Sequence, residues 1–193
     1  MKTAIVYEAI GADPSRDRLV KGELTVVAIG DPAELAAVVT RLAREGTELI
    51  ELCGGISPRW RPVAEAAAGA GVKVSSVTFG IESLAAAARF NQAHRDGTPL
   101  PEAFIVIMPR ADPDRDGFVV SFPPQHTRFI PVPDEAAAVT VAHGLVADGY
   151  GLIELYGGFT SQGAGAVIDA VAGRLAVGVG SFTVEATVPM AGR

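Results

Sequence analysis

The amino-acid sequence contains one long pattern twice, and this internal duplication limits what the chain can fold into. Residues 11–17 (GADPSRD) match residues 110–116 (RADPDRD) at five of seven positions. Residues 45–57 (EGTELIELCGGIS) match residues 148–160 (DGYGLIELYGGFT) at seven of thirteen. The matches keep their order along the chain, at offsets of 99 and 103 residues. This period is too long for a solenoid repeat, so the pattern predicts two similar units.

The boundary between the units is expected at residues 97–101, where the sequence reads Gly-Thr-Pro-Leu-Pro. Glycine and proline of this kind punctuate a chain between regular segments. The predicted domains are therefore residues 1–98 and 99–193. A chain of 193 residues is long enough for two small domains. We expect the two copies to be related by a pseudo-twofold axis.

Each unit is predicted to be an α/β unit with the order β-β-α-β-α-β. Asp31 followed by Pro32 and Glu34 is typical of a helix start, and Asp134 occupies the same place in the second copy. Only the first half adds a further helix, at about 83–95. The predicted strands are 3–7, 24–29, 48–52, 72–77, 104–108, 128–132, 152–156 and 175–179. Strands that alternate with helices favour mainly parallel sheets covered on both faces; one barrel-like sheet of eight strands is the alternative.

Composition excludes several classes of protein. The chain has 22 acidic and 16 basic residues and a net charge of −6, which argues against a nucleic-acid partner. No uninterrupted apolar run reaches the roughly 18 residues that cross a bilayer, so no membrane partner is expected. The first nine residues do not resemble a secretion signal, and a cytoplasmic location is predicted. A single cysteine excludes a disulfide framework and a multi-cysteine metal site.

The two strand ends LIELCGG and LIELYGG carry the main candidate catalytic residues. Alternate residues of a strand share a face, so Glu51 lies beside Cys53, and Glu154 lies beside Tyr156. Burial raises the pKa of a carboxyl towards the range useful for proton transfer. We therefore predict a general acid or base at the carboxyl edge of the sheet. The alternative is a structural glutamate bonded to loop amides or to its counterpart in the other copy.

The Gly-Gly pairs that follow these strands are candidate ligand-binding residues: Gly54, Gly55, Gly157 and Gly158. Glycine lets backbone amides approach a ligand closely, and the start of the following helix favours an anion. Ligands of open parallel sheets bind at this edge. A carboxylate or phosphate group is therefore expected there, although any tight strand-to-helix turn also uses such glycines. The pattern is neither a P-loop nor a full dinucleotide fingerprint.

Further candidates follow other strands. Glu82 and Glu185 occupy matching places after the last strand of each copy and are predicted to lie near the same edge as ligand-binding residues. Glu8 ends the first strand, but its counterpart is Ile107, so it is a one-sided candidate. Cys53 next to a helix start suits a nucleophile, whereas a buried inert thiol is the commoner role.

No metal site is predicted, and the cofactor is left open. His94, His126 and His143 share no metal-like spacing. His94 and His143 are expected on helices, and His126 in a proline-rich loop. Carboxylates at the sheet edge suit a hard cation, but no loop has a calcium-type pattern.

The ADP-x-x-D opening and the IELCGG strand end resemble a family of small bacterial α/β domains of unknown function. Members of that family read like ADPEKDR and ELCGGFG at these places. The first half keeps Glu51-Leu52-Cys53-Gly54-Gly55, whereas the second departs at Tyr156. The resemblance covers most of the chain and supports the duplication and the importance of the turn. It implies no particular reaction. If single-copy relatives self-associate, this chain is a covalent version of their dimer.

Three functions fit these residues. The first is a small-molecule enzyme of proton-transfer type, an isomerase or lyase, acting on an anionic metabolite. The second is a non-catalytic ligand-binding or sensor module that uses the same edge. The third is a structural or assembly protein whose glutamates hold the two halves together. The sequence leaves the substrate, any cofactor and homo-oligomer formation open.

Overall fold

The computed structural model describes residues 1–181, which form two compact α/β units. The first unit contains residues 1–77 and takes up the chain again at Gly180. The second unit contains Thr78–Val179. No helix in the described part of the chain is long and apolar enough to cross a bilayer.

The first unit has a mostly parallel sheet with two helices. In chain order its elements are β1 (Thr3–Glu8), β2 (Arg18–Lys21), β3 (Leu24–Ile29), α1 (Leu35–Arg44), β4 (Leu49–Leu52), α2 (Arg61–Ala68) and β5 (Lys73–Phe79). The strand order is β2-β3-β1-β4-β5. All neighbours pair in parallel except β2, which runs antiparallel to β3 at the edge.

The second unit repeats this arrangement. Its elements are α3 (Leu84–Arg95), β6 (Glu102–Ile107), α4 (Pro113–Asp116), β7 (Phe118–Phe122), β8 (Gln125–Val132), α5 (Glu135–Ala147), β9 (Leu152–Tyr156), α6 (Ser161–Val171) and β10 (Ala176–Ser181). The order β7-β8-β6-β9-β10 matches that of the first unit strand for strand. The edge strand β7 is again antiparallel to its neighbour β8. The predicted tandem α/β fold is therefore confirmed.

Two of the strands were not predicted from the sequence. Both β2 and β7 are edge strands that pair on one side only, and their residues are largely exposed or half-buried. Such strands need no alternation of apolar and polar residues, so a period of two is absent. Each unit therefore contains one more strand than the predicted β-β-α-β-α-β order.

The helix starts follow the predicted chemistry. The Asp31 carboxylate accepts a hydrogen bond from the Ala33 N–H at 2.8 Å, and the Glu34 carboxylate accepts bonds from the Gly30 and Asp31 N–H groups. These bonds close a capping box, after which a short 3-10 turn leads into α1. Asp134 caps α5 through the Ala137 N–H in the same way.

One face of the second sheet packs against α5 and α6. Ile153 and Leu155 of β9 lie in the apolar core that includes Leu145 of α5 and Val167 of α6. Glu154 lies between Ile153 and Leu155 in the strand, so its side chain points to the opposite face. The strand therefore separates a helix-covered apolar face from a face that contains the carboxylate.

Helix α3 belongs to the first repeat in sequence but to the second unit in structure. Ser83, just before α3, accepts a hydrogen bond from the Val177 N–H at 3.0 Å. Gly151 packs so closely that a Cβ there would lie 2.8 Å from Leu100 and 3.0 Å from Phe90. The first repeat has Glu48 at the position of Gly151. The small residue thus admits the helix and its linker, while the division at residues 98 and 99 remains a prediction from the repeat.

Candidate functional site

The predicted acid or base of the first unit, Glu51, lies inside the protein. It sits in β4 with 2% of its surface exposed. The neighbouring strand β5 places Ser75 directly opposite, and the Ser75 hydroxyl donates to Oε1 of Glu51 at 3.3 Å. A Cβ on Gly180 would lie 3.3 Å from the same oxygen, so that backbone covers the carboxylate. Glu51 is thus a buried group rather than an open surface acid.

Glu154, its counterpart in the second unit, is equally buried, with 3% of its surface exposed. The Tyr156 hydroxyl, two residues along the same strand, donates a hydrogen bond to Oε2 of Glu154. The Tyr156 ring packs 5.2 Å from the ring of Phe104, which in turn packs edge-on against Phe129 at 5.1 Å. An aromatic cluster therefore surrounds this carboxylate.

The hydroxyl that serves each glutamate comes from a different place in each unit. Gly178 stands opposite Glu154, where the first unit has Ser75 opposite Glu51. Tyr156 stands where the first unit has Cys53. One copy uses a hydroxyl from the neighbouring strand, and the other uses a hydroxyl from its own strand. A hydrogen bond to a buried carboxylate is worth more than one between neutral groups, which explains why both copies supply a donor.

Cys53 is also buried, at the end of β4. Its N–H donates to the Val6 carbonyl at 3.0 Å, and its own carbonyl accepts from the Ile56 N–H at 3.0 Å. A Cβ on Gly55 would lie 3.5 Å from the Cys53 sulfur and 3.9 Å from Cβ of Glu8. The turn therefore brings the thiol and Glu8 to the same corner of the first unit.

Glu8 is the half-buried acid of this corner. Burial raises the pKa of its carboxyl above the ordinary value of 4.5, and the negative charge of Asp31 raises it further. The sequence identified Glu8 only as a one-sided candidate, because the second repeat has Ile107 there. The structure makes it the carboxyl of the first unit that combines partial exposure with a raised pKa.

The two Gly-Gly turns differ in backbone conformation. Gly157 and Gly158 both have φ of +87°. A Cβ on Gly157 would lie 2.7 Å from the carbonyl oxygen of Ile107, so only glycine fits there. At the outer position, Gly158 has no neighbour within 4 Å, whereas Gly55 lacks a positive φ and has a thiol at ordinary contact distance. The outer glycine of each pair, Gly55 or Gly158, is exposed, whereas Gly54 and Gly157 are half-buried.

A carboxylate from the protein itself occupies the turn of the second unit. Oε1 of Glu135 accepts from the Thr160 N–H at 2.6 Å, and Oε2 accepts from the Thr160 hydroxyl at 3.0 Å. The Thr160 oxygen also accepts from the Gly163 N–H at 3.0 Å, which caps α6. A side chain at residue 163 would overlap the Glu135 carboxylate. An anion therefore binds this turn, and it is internal.

At the matching position of the first unit, no carboxylate of residues 1–181 is bonded to Ser57. Ser57 occupies the place of Thr160, and Pro32 occupies the place of Glu135. Ser57 is exposed, and no side chain of the described residues accepts a hydrogen bond from its N–H or hydroxyl. Arg59 follows, with its guanidinium carbon 5.8 Å from the centre of the Trp60 ring. The first turn thus presents an open donor pair beside a positive charge.

The comparison with protein families gives a match over nearly the whole chain. A family of unknown function, DUF6506, matches residues 1–92 and again residues 100–191. The chain belongs to the DUF6506 family. This result agrees with two tandem copies of a small domain and with the resemblance seen in the IELCGG strand end. A comparison with curated proteins found no match.

Solved structures similar to this DUF6506 chain are distant. A periplasmic solute-binding protein of an ABC transporter from Actinobacillus succinogenes 130z, with bound D-allose, is 12% identical over 92% of this chain and 77% of its own, with a TM-score of 0.29. Solute-binding proteins of an ABC transporter system from Aeropyrum pernix K1 are 14% identical over 88% of this chain and 58% of their own, with a TM-score of 0.26. A substrate-binding protein with adhesive properties from Clostridium difficile is 8% identical over 93% of this chain and 74% of its own, with a TM-score of 0.28. At these TM-scores the likeness carries no argument about function.

Most of the remaining predicted residues of the DUF6506 chain lie on other elements. Glu82 is exposed in a 3-10 turn before α3, with its carboxylate folded over Gly80. Glu185 lies outside the described residues. His94 and His143 lie on α3 and α5 as predicted, and His126 lies in strand β8, where its Nδ1 is 2.9 Å from the Ser121 hydroxyl. Within residues 1–181, no group of three or more potential ligands is placed to hold a metal ion.

Two acidic residues with structural partners were not predicted from the sequence. Glu102 is buried at the start of β6 and accepts hydrogen bonds from the Thr127 hydroxyl and, at 2.9 Å, from the Gln125 amide. Glu135 reaches a turn 25 residues further along the chain. A glutamate in the first turn of a helix is common for electrostatic reasons alone, so no local pattern distinguishes Glu135.

Proposed function

We propose that this DUF6506 chain binds a small molecule through an anionic group at Ser57, in the turn that follows β4 of its first unit. The observation that carries the proposal is the Glu135 carboxylate on Thr160 in the second unit. An N–H and a hydroxyl at this position bind a carboxylate there, and the first unit keeps the equivalent pair on Ser57, with no acceptor side chain among the described residues.

Charge supports the same assignment. Pro32 replaces the internal acid, and Arg59 adds a cation two residues after Ser57. Arg61 lies nearby in the chain, where it pairs with Glu65 at 3.8 Å and donates to the Ser181 carbonyl at 3.3 Å. A carboxylate or phosphate placed on Ser57 would therefore meet two hydrogen-bond donors and a nearby positive charge.

A second candidate function, proton transfer, rests on Glu8. A carboxyl with a raised pKa holds its proton closer to neutral pH, which suits a general acid or base. Glu8 lies at the same corner as Cys53 and Gly55, whereas Glu51 is almost fully buried. In such an isomerase or lyase, Glu8 would exchange the proton with the ligand, and Cys53 would lie at the same corner. Without this chemistry the corner is a sensor or binding site.

The binding proposal is tested by giving the first unit the internal acid that the second unit has. The Ser57 and Arg59 amides are followed by ¹⁵N NMR during titration with acetate, succinate and inorganic phosphate. We expect saturable shifts in the wild-type chain. Pro32→Glu, which supplies the internal carboxylate, should abolish them, and the neutral Pro32→Gln control should retain them. Absence of saturation with all three probes, or equal binding by Pro32→Glu, would overturn the proposal.

Proton transfer is tested by hydrogen–deuterium exchange into carbon positions. The protein is incubated with a mixture of small carboxylic-acid metabolites in D₂O, and new C–D bonds are detected by NMR. Catalysis predicts exchange that Glu8→Gln eliminates while probe binding persists. Exchange that is absent in the wild type, or unchanged in Glu8→Gln, would leave only the binding function.

A further inference from the structure

A cavity lies in the second unit, away from the Gly-Gly turn. Its volume is about 240 Å³. Arg89 of α3 and Arg174 line it, together with Ala86, Leu100, Tyr150 and Leu175. It sits where the linker after α3 meets β9, because the Gly151 N–H donates to the Pro101 carbonyl at 2.9 Å. All of the lining comes from one compact unit.

The cavity concentrates positive charge in an acidic protein. Its lining contains two arginines and no acidic residue, although the chain carries a net charge of −6. Neither Arg89 nor Arg174 forms an ion pair with any described residue. Two guanidinium groups on one small cavity favour an oxyanion, because the planar fork of arginine matches a carboxylate or phosphate.

Arg174 is held in place before any ligand arrives. Its Nε donates to the Val171 carbonyl at 3.0 Å, and one terminal nitrogen donates to the Ala170 carbonyl at 3.1 Å. Both carbonyls lie at the carboxyl end of α6. The guanidinium has five N–H groups, so donors remain for a ligand. A fixed donor loses less freedom on binding than a mobile one, which favours affinity.

The first repeat lacks these features at the matching positions. Gly71 stands in place of Arg174, and Glu48 stands in place of Gly151. Glu48 accepts a hydrogen bond from the Lys2 N–H at 2.7 Å. The matching corner of the first unit therefore contains an acid that is bonded to the backbone. Compared with the first copy, the second copy has a glycine in place of an acid and an arginine in place of a glycine. Both differences make this corner of the second unit more positive.

We infer that this cavity is a second ligand site, which binds a compact organic anion. The oxyanion pairs with Arg89 and Arg174, and the apolar remainder contacts Leu100, Ala86 and the Tyr150 ring. A cavity of about 240 Å³ suits a small metabolite. The inference is independent of the site proposed at Ser57.

The test uses benzoate, succinate and inorganic phosphate as probes. The Gly149 and Tyr150 amides are followed by ¹⁵N NMR on the full chain. We expect saturation by at least one probe: saturation by benzoate or succinate identifies a carboxylate ligand, and by phosphate alone a phosphate ligand. Arg89→Met should weaken binding about tenfold or more, because it removes a charge-assisted contact from an exposed position.

Two controls separate this site from the others. Arg44→Met removes an exposed arginine from α1 of the first unit and should leave binding unchanged. Pro32→Glu, which blocks the proposed site at Ser57, should also leave the Gly149 and Tyr150 shifts unchanged. The inference is overturned if no probe saturates these amides, or if Arg89→Met binds as tightly as the wild type.

Discussion

The two Gly-Gly turns began as copies and now differ in how their space and charge are filled. In the second unit, Gly157 packs against the backbone of Ile107, and Glu135 supplies an internal carboxylate. In the first unit, Ser57 has no such partner among the described residues. Duplication thus kept the strand-turn-helix frame and allowed one copy to close its turn. The first turn is the better candidate for an external ligand.

The largest contrast should come from adding one methyl group to the inner glycine of the second turn and to the outer glycine of the first. Gly157→Ala forces a left-handed residue and a contact with backbone at 2.7 Å, so we expect it to cost about 3 kcal/mol of unfolding free energy. Gly55→Ala meets only a thiol at 3.5 Å and should cost less than about 1 kcal/mol. Urea denaturation followed by circular dichroism measures both. Equal losses would show that Gly157 is no more constrained than Gly55.

The next contrast concerns the two buried glutamates. Tyr156→Phe removes the hydroxyl that bonds Glu154 and should cost about 2 kcal/mol of unfolding free energy. Ser75→Ala removes a bond of 3.3 Å to Glu51 and should cost about 1 kcal/mol. Denaturation midpoints of the two variants test the order. A larger loss for Ser75→Ala would contradict the view that Tyr156 is the stronger partner.

A smaller effect is expected at the internal carboxylate. Glu135→Gln keeps the side-chain shape but removes the negative charge from the start of α6, so stability should fall by about 1 kcal/mol. Glu135→Ala vacates the turn altogether, and the Thr160 amide should then respond to added acetate in an NMR titration. No response to acetate in Glu135→Ala would mean that the turn does not recognise anions by itself.

The smallest effect is the pH dependence caused by Glu8. Its pKa is raised in the folded state, so the folded chain holds the proton more tightly than the unfolded chain. This contribution to stability is therefore fully present below pH 4.5 and is lost as pH rises through the folded pKa. Glu8→Gln should remove that downward slope. Denaturation midpoints between pH 4 and pH 8 measure it, and parallel profiles for the two proteins would refute the raised pKa.

Sequence periodicity predicted the repeating frame because its signals are local. Helix caps at Asp31 and Asp134 and the apolar strands before the Gly-Gly pairs need only a few neighbouring residues. The edge strands β2 and β7 were missed, since a strand paired on one side and half-exposed has no fixed pattern. The candidate glutamates were placed on the correct strands, but their depth depends on what covers them.

The amino-acid sequence by itself determined that this chain contains one α/β module twice, with an acid in the same strand of each copy. Only the tertiary structure decided which hydroxyl serves each acid and which carboxylate fills a turn. Glu135 and Thr160 are 25 residues apart, and Glu51 and Ser75 are 24 apart. Contacts of that kind arise when strands and helices pack, because side-chain reach depends on three-dimensional distance and not on spacing along the chain.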